Sequence, residues 1–207
     1  VVTTPGPGPT TVEELRALYP PATLRSSRKE IDHLDGHCRA FLALSPFCVL
    51  GTVDADGGPD MSPRGGDPGF VRVAGPRTAV VPDRPGNHRI DSLRHVVAAP
   101  AVSLLVFVPG IDETLRVYGR ASVVTLDATS RHDLGLDGKG RTALRIDVRK
   151  AFFHCAKAVM RSGLWDQASR VERDSFPTMG QLMHDHAQLE GPVESQEEML
   201  RRYAPTL

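Results

Sequence analysis

Hydrophobic positions divide the chain into a helical opening, a strand-rich middle and a helical end. From Ser27 to Ser45, the residues Ile31, Leu34, Cys38, Phe41 and Leu42 fall at three- and four-residue steps, which puts them on one stripe of a helix that Pro46 ends. Beyond Pro46 come short runs of strand-forming residues: Phe47–Val53, Phe70–Val73, Thr78–Val81, Ala101–Val108, Thr114–Thr125 and Thr142–Val148. Turn chemistry separates them, with Gly and Pro inside Asp54–Pro59 and Ala74–Arg77, and Pro109-Gly110 between two strands as a hairpin. The largely apolar run Val102–Val108 fits a strand covered on both faces, whereas Leu115, Val117 and Ala121 alternate with polar neighbours. Within Asn87–Ala99, the helical spacing of Ile90, Leu93, Val96 and Val97 predicts a crossover helix. Six strands with one or two inserted helices predict a mainly β, α+β domain: a closed or partly closed antiparallel barrel.

The ends follow different patterns. Val1–Thr10, rich in Pro and Gly, reads as a disordered leader, and Thr10-Thr11-Val12-Glu13 has the spacing of a capping box that opens a short helix through Tyr19. At the other end, Phe152–Leu164 reads as a short basic helix. Thr178–Leu189 and Glu194–Tyr203 read as polar helices whose narrow stripes, Leu182/Leu189 and Met199/Leu200/Tyr203, need a partner surface on the barrel or a second subunit. The expected division is residues 1–26 as leader and short helix, 27–170 as the barrel, and 171–207 as a helical extension.

Charge narrows the partners. The 207 residues carry 25 Lys plus Arg against 25 Asp plus Glu, so no general attraction draws the chain to nucleic acid or an anionic membrane, while small anions stay open. Three cysteines without a CxxC pair indicate neither a disulfide framework nor a zinc ribbon, and a reducing cytoplasm is the expected compartment. No basic and apolar signal stretch and no run of membrane-spanning length is present, which predicts a protein that is soluble and not exported.

The densest chemistry lies in Met61–Phe70 and Val81–Leu93. The second segment gathers Arg84, Asn87, Arg89 and Ser92 around a Pro-Gly turn that leads into a helix. Backbone N–H groups at a helix start, joined by guanidinium and hydroxyl donors, make a phosphate site. Other motifs fall short. His33 and His37 are four apart with Asp32 and Asp35 nearby, but the HExxH glutamate is missing and a solvated helix face is expected, so no metal is assigned. His184-Asp185-His186 scatters its imidazoles around a helix. Gly138-Lys139-Gly140 lacks both the first glycine and the hydroxyl residue of a Walker loop. His154 and Cys155, adjacent on one strand, point in different directions and make a poor catalytic pair. No GxSxG elbow or Rossmann fingerprint follows a strand, which removes hydrolase and dinucleotide-fold dehydrogenase readings.

The same segments carry a family resemblance. SPRG at Ser62–Gly65, PDRPGN followed by RxDSLR within Pro82–Arg94, PG with ETLRVxGRA within Pro109–Ala121, and FHCAKA with RSxLWD within Phe153–Asp166 stand in order between Ile31 and Trp165. Together they resemble the pyridoxamine 5′-phosphate oxidase-like group of FMN-binding split β-barrel proteins. The resemblance implies a six-stranded split barrel with an N-terminal helix, a crossover helix and C-terminal helices. It also implies a homodimer with FMN in each of two interface clefts, and flavin-mediated oxidoreductase chemistry on an unidentified small molecule.

By the same resemblance, Ser62, Pro63 and Arg64 would lie beside the isoalloxazine or ribityl chain. Val81, Pro82 and Asp83 would run along the flavin ring, and Asn87, Arg89 and Ser92 would hold the phosphate. Arg116 would face the flavin or the cleft, and Lys157, Arg161 and Trp165 would reach the cofactor from a late segment of the same or the other subunit. No catalytic acid or base is named, because a direct hydride exchange with flavin needs none. The alternatives on this fold are a deazaflavin or heme binder, a flavin carrier without turnover, or a purely structural dimerisation module.

Overall fold

The computed structural model describes residues 6, 8–133 and 140–206. The start of the expected leader and the pair Gly138-Lys139 lie outside the described residues. The chain forms two compact units, Val1–Glu30 and Ile31–Leu207.

The first unit contains α1 (Val12–Ala17) and α2 (Leu24–Ser27), neither with a buried residue. The capping box of α1 is set one residue later than expected. Thr11 Oγ1 accepts from Glu14 N at 3.1 Å and the Glu14 carboxylate accepts from Thr11 N at 3.3 Å.

In the second unit, α3 covers Gly36–Leu44, not the whole stretch from Ser27. Two local interactions set its start. Ile31 forms a backbone bridge with Ala151, and Asp35 caps the helix by accepting from Cys38 N at 2.8 Å. His33 therefore precedes the helix, and the expected four-residue spacing with His37 on a helical face is absent. Cys38, Phe41 and Leu42 are buried as the stripe predicts.

Seven strands follow: β1 (Phe47–Val53), β2 (Pro59–Gly65), β3 (Arg72–Gly75), β4 (Thr78–Pro82), β5 (Ala101–Val108), β6 (Ile111–Thr125) and β7 (Thr142–His154). They make one antiparallel sheet in the order β2-β1-β5-β6-β7-β4-β3. The mainly β, α+β class is the expected one, with seven strands where the sequence predicts six. The additional strand is β2, whose residues alternate between exposed and half-buried and include two prolines. It is an edge strand, where a missing N–H disrupts no ladder and no apolar period is required. The sheet curls far enough for Arg64 on β2 to pair with Asp83, just past β4, at 3.2 Å.

Inward positions alternate along the strands as the period of two requires. Cys48 and Leu50 on β1, and Leu104 and Val106 on β5, meet Leu115, Val117 and Ile146 in a single core. The β6–β7 ladder runs from Thr114↔His154 to Thr125↔Thr142, with a bulge at Tyr118/Gly119. A Cβ on Gly119 would run into the Asp147 carbonyl oxygen, so this close approach needs glycine. Because β7 continues through His154, the basic helix expected from Phe152 is shorter: α6 spans Lys157–Ser162.

Between β4 and β5 lies α4 (Asp91–Ala98), and α5 (Ala128–Asp133) follows β6. The last elements, α7 (Met179–Ala187) and α8 (Gln196–Tyr203), are capped by Thr178 and by a Ser195/Glu198 capping box. Among the described residues, no helix is long and apolar enough to cross a membrane.

Candidate functional site

A cavity of about 870 Å³ opens between β2, the loop after β4, the start of α4 and the start of β7. It is well inside the size range of small-molecule sites. Its lining brings together Ser62, Pro63, Arg64, Asp83, Asn87, Arg89 and Ser92 from the sequence-predicted set. The remaining residues of that set lie elsewhere. Val81 is buried in the core and Pro82 ends β4 beside the cavity. Arg116 lines a second cavity. Lys157 and Arg161 are exposed on α6, and the Trp165 indole donates to the Ile111 carbonyl at 3.0 Å.

The loop before α4 shapes the cavity. Asn87 Oδ1 accepts from Arg89 N at 3.1 Å, and His88 and Ile90 take φ values of 61° and 52°. A β-branched residue in the left-handed region is strained, and such strain persists where surrounding structure fixes it. Ile90 is the N-cap of α4 and supplies no side-chain cap, so the first-turn N–H groups of α4 have no side-chain partner from it. Ser92, in that turn, is 4% exposed, lines the cavity and makes no side-chain hydrogen bond among the described residues.

Charge at the cavity is mixed but leans positive. Arg64, Arg84, Arg89 and Arg141 face Asp60, Asp83 and Asp91. Two of the carboxylates pair with arginines: Asp83 with Arg64 at 3.2 Å and Asp91 with Arg89 Nε at 2.7 Å. The Arg64 Nε is buried and has no hydrogen-bond partner among the described residues. An orphaned guanidinium donor is costly in a folded protein and points to a ligand that satisfies it. Gly66 makes room for a neighbouring arginine, since a Cβ there would lie 3.0 Å from Arg84 Nη2 and 2.9 Å from the Phe70 Cβ.

A polar cluster ties α4 to the β1–β2 hairpin. Thr52 Oγ1 lies 3.0 Å from His95 Nδ1 and 3.4 Å from the Asp60 carboxylate, with His95 and Asp60 3.8 Å apart. This fixes the helix whose start borders the cavity. Sequence reasoning missed Asp60, Arg141 and Thr142 as lining residues. The register Pro82↔Ala143 is the signal that places the start of β7 beside the loop after β4. Burial pushes the Cys38 and Cys48 thiols up to about 12, so neither is a nucleophile at neutral pH. No cluster of metal-ligating residues is found among the described residues.

The second cavity, about 540 Å³, lies on the outer face of β1, β5 and β6 under α6, and Met61 lines both. Its walls are mostly apolar and include Arg116, His154 and Cys155.

The family model for pyridoxamine 5′-phosphate oxidase matches residues 34–155, more than half of the chain. No curated protein sequence matches it. Among solved structures, HupZ of Group A Streptococcus is 18% identical, with a TM-score of 0.46 over 57% of this chain and 92% of that one. The heme storage protein HutZ of Vibrio cholerae is 18% identical, with a TM-score of 0.39 over 57% and 93%. A Clostridium acetobutylicum protein related to general stress protein 26 is 13% identical, with a TM-score of 0.42 over 57% and 85%.

Proposed function

Because the chain belongs to the pyridoxamine 5′-phosphate oxidase family, we propose that it is an FMN-binding oxidoreductase acting on a small molecule. The observation that carries this reading is the gathering of Arg64, whose Nε is buried without a partner among the described residues, with Arg84, Arg89 and Arg141 around one cavity beside the start of α4. These residues fit a phosphate-bearing cofactor. The first-turn N–H groups of α4 and the Ser92 hydroxyl would hold the phosphate, with Arg89 and Asn87 closing over it. Arg64 and Ser62 on β2, with Asp83 opposite, would face the ribityl and ring portions. When bound, FMN supplies hydride chemistry at its N5 atom.

The protein's own contribution is position and electrostatics. The Thr52–His95–Asp60 cluster holds α4 against the hairpin, and the Arg64–Asp83 pair joins the two sides of the cavity. No side chain is assigned as acid or base. A homodimer fits this reading, because Met179, Met183 and Leu200 on α7 and α8 remain 45–52% exposed within one chain. Three free thiols, Cys38, Cys48 and Cys155, agree with a reducing cytoplasm.

The test is to purify the full chain, record its absorbance and add FMN, heme or a deazaflavin coenzyme in parallel. Flavin bands and tight FMN uptake, with bleaching on addition of a reduced nicotinamide or a substrate, are expected. A Soret band, or rejection of FMN, overturns the reading. FMN uptake without any reduction assigns the chain as a carrier.

A further inference from the structure

Asp60 is the one carboxylate lining the first cavity that pairs with no arginine among the described residues. It stands on β2 in a lining that also presents Arg64, Arg84, Arg89 and Arg141, yet its partners among the described residues are Thr52 and His95. A second anion brought into that cavity would meet Asp60 without a counter-charge, and like charges close together in a partly buried site repel. His95 on α4 is placed to supply one. Its Nδ1 is 3.0 Å from Thr52 Oγ1 and 3.8 Å from the Asp60 carboxylate, and the buried Thr52 hydroxyl donates to that carboxylate at 3.4 Å. With its hydrogen on Asp60, the hydroxyl offers only lone pairs to His95, so Nδ1 is the donor. A protonated imidazole keeps this chain and adds an ion pair to it; a neutral one keeps the chain alone. The other charges around His95 act in the same direction. Asp54 and Asp56 of the β1–β2 turn share a groove with it against one cation, Arg94 of α4, while β6 contributes the uncharged Val123. Asp91, one turn earlier on α4, is paired with Arg89.

We propose that His95 is a positioning residue whose protonation is coupled to anion binding in the first cavity: it takes up a proton as a phosphate group enters at the start of α4 and releases it as the group leaves. The proton comes from solvent, which reaches the ring because the side chain is 21% exposed. It goes to Nε2, since Nδ1 already carries a hydrogen toward Thr52. The imidazolium then offsets Asp60 and leaves the arginines of the lining to the phosphate. His95 is four residues past Asp91, so its charge stands only about 6 Å along the axis from the first turn of α4. Linkage fixes the sign. A ligand that draws a proton to the site is held more tightly where the proton is already present, so affinity rises as pH falls through the range in which histidines titrate, about pH 5 to 8. The inference rests on the reading of this cavity as a phosphate site and gives that site a regulation, loading that follows pH.

The experiment titrates FMN into the full chain by calorimetry near neutral pH in PIPES and in Tris, whose different ionisation enthalpies reveal the protons taken up on binding. The wild type should take up about half a proton more than His95→Asn, the titration of the FMN phosphate itself being common to both. From about pH 6 to about pH 8, the ratio of wild-type to His95→Asn affinity should fall about fivefold, the low end of coupling between two sites. Asp60→Asn should remove most of the proton uptake, and His95→Lys should restore affinity without the pH dependence, a rescue that a merely structural role would not give. Equal proton uptake in wild type and His95→Asn, or a ratio that stays constant with pH, overturns the proposal and leaves the flavin reading standing. If the variants do not fold, the wild type decides alone: net uptake is expected, whereas a site that only prefers the phosphate dianion releases protons, and release or no change overturns the proposal. If FMN is not bound, inorganic pyrophosphate is titrated in its place. Proton-linked binding that His95→Asn loses then keeps the proposal and removes the flavin reading; no binding, or binding without that link, overturns both.

Discussion

The two cavities share Met61 on β2, yet their polar groups are assembled in opposite ways. In the larger one, Asn87, Arg89, Asp91 and Ser92 arrive within six residues on a single strained loop and helix start. In the smaller one, a lone arginine on β6 is held by Tyr118 and Phe152 across the β6–β7 ladder, and the walls come from β1, β5, β6 and α6. One cavity collects donors that suit a multiply charged group. The other isolates a single charge in carbon. The difference shows how one sheet can gather several charged groups at one cavity and a single guanidinium at another without a large net charge.

The largest effect separating the cavities should come from Arg64→Met. It removes the orphaned donor and leaves Asp83 without its partner, and FMN affinity in a fluorescence titration should fall about 100-fold, as loss of a charge-assisted pair implies. An unchanged affinity would mean that the larger cavity is not the flavin site. Arg89→Ala should cost less, about tenfold, because its side chain is 73% exposed and already shared with Asp91. Gly66→Ala should cost less again, about threefold in affinity, by displacing the end of Arg84, and should also lower stability, since the new methyl group would stand 2.9 Å from the buried Phe70 Cβ.

Asp35→Ala should leave FMN binding unchanged while lowering stability by about 1 kcal/mol, the usual cost of a lost N-cap. The Cys38 backbone N–H holds the Asp35 carboxyl below its ordinary range. That stabilisation is therefore complete above about pH 4 and is lost as pH falls through the lowered value. Urea melts of the two proteins should accordingly converge toward pH 3. A gap that widened on acidification would contradict the capping assignment.

Legibility in the sequence followed how local each feature is. The apolar periods of Phe47–Val53 and Ala101–Val108 matched β1 and β5 in extent, because buried alternation is written directly in residue type. The larger cavity was legible for the same reason, its donors being neighbours in the chain. Strand β2 was not, since an edge strand with Pro59 and Pro63 needs no apolar period. The start of α3 was misplaced because a backbone bridge at Ile31 competes with its apolar stripe for that residue. Arg116 was singled out, but its stacking on Phe152, 36 residues away, depends on strand register that no local pattern carries. Arg141 and Thr142 were missed for that reason too, as pairing of β4 with β7 brings them to the site.

The most direct test of a phosphate held at the start of α4 is a comparison of FMN with riboflavin, which differs only in lacking the phosphate, titrated into the flavin-free chain. FMN should bind at least about 100-fold tighter, in keeping with two or more charge-assisted hydrogen bonds to the phosphate. Equal affinities, or no binding of either flavin, would contradict the assignment.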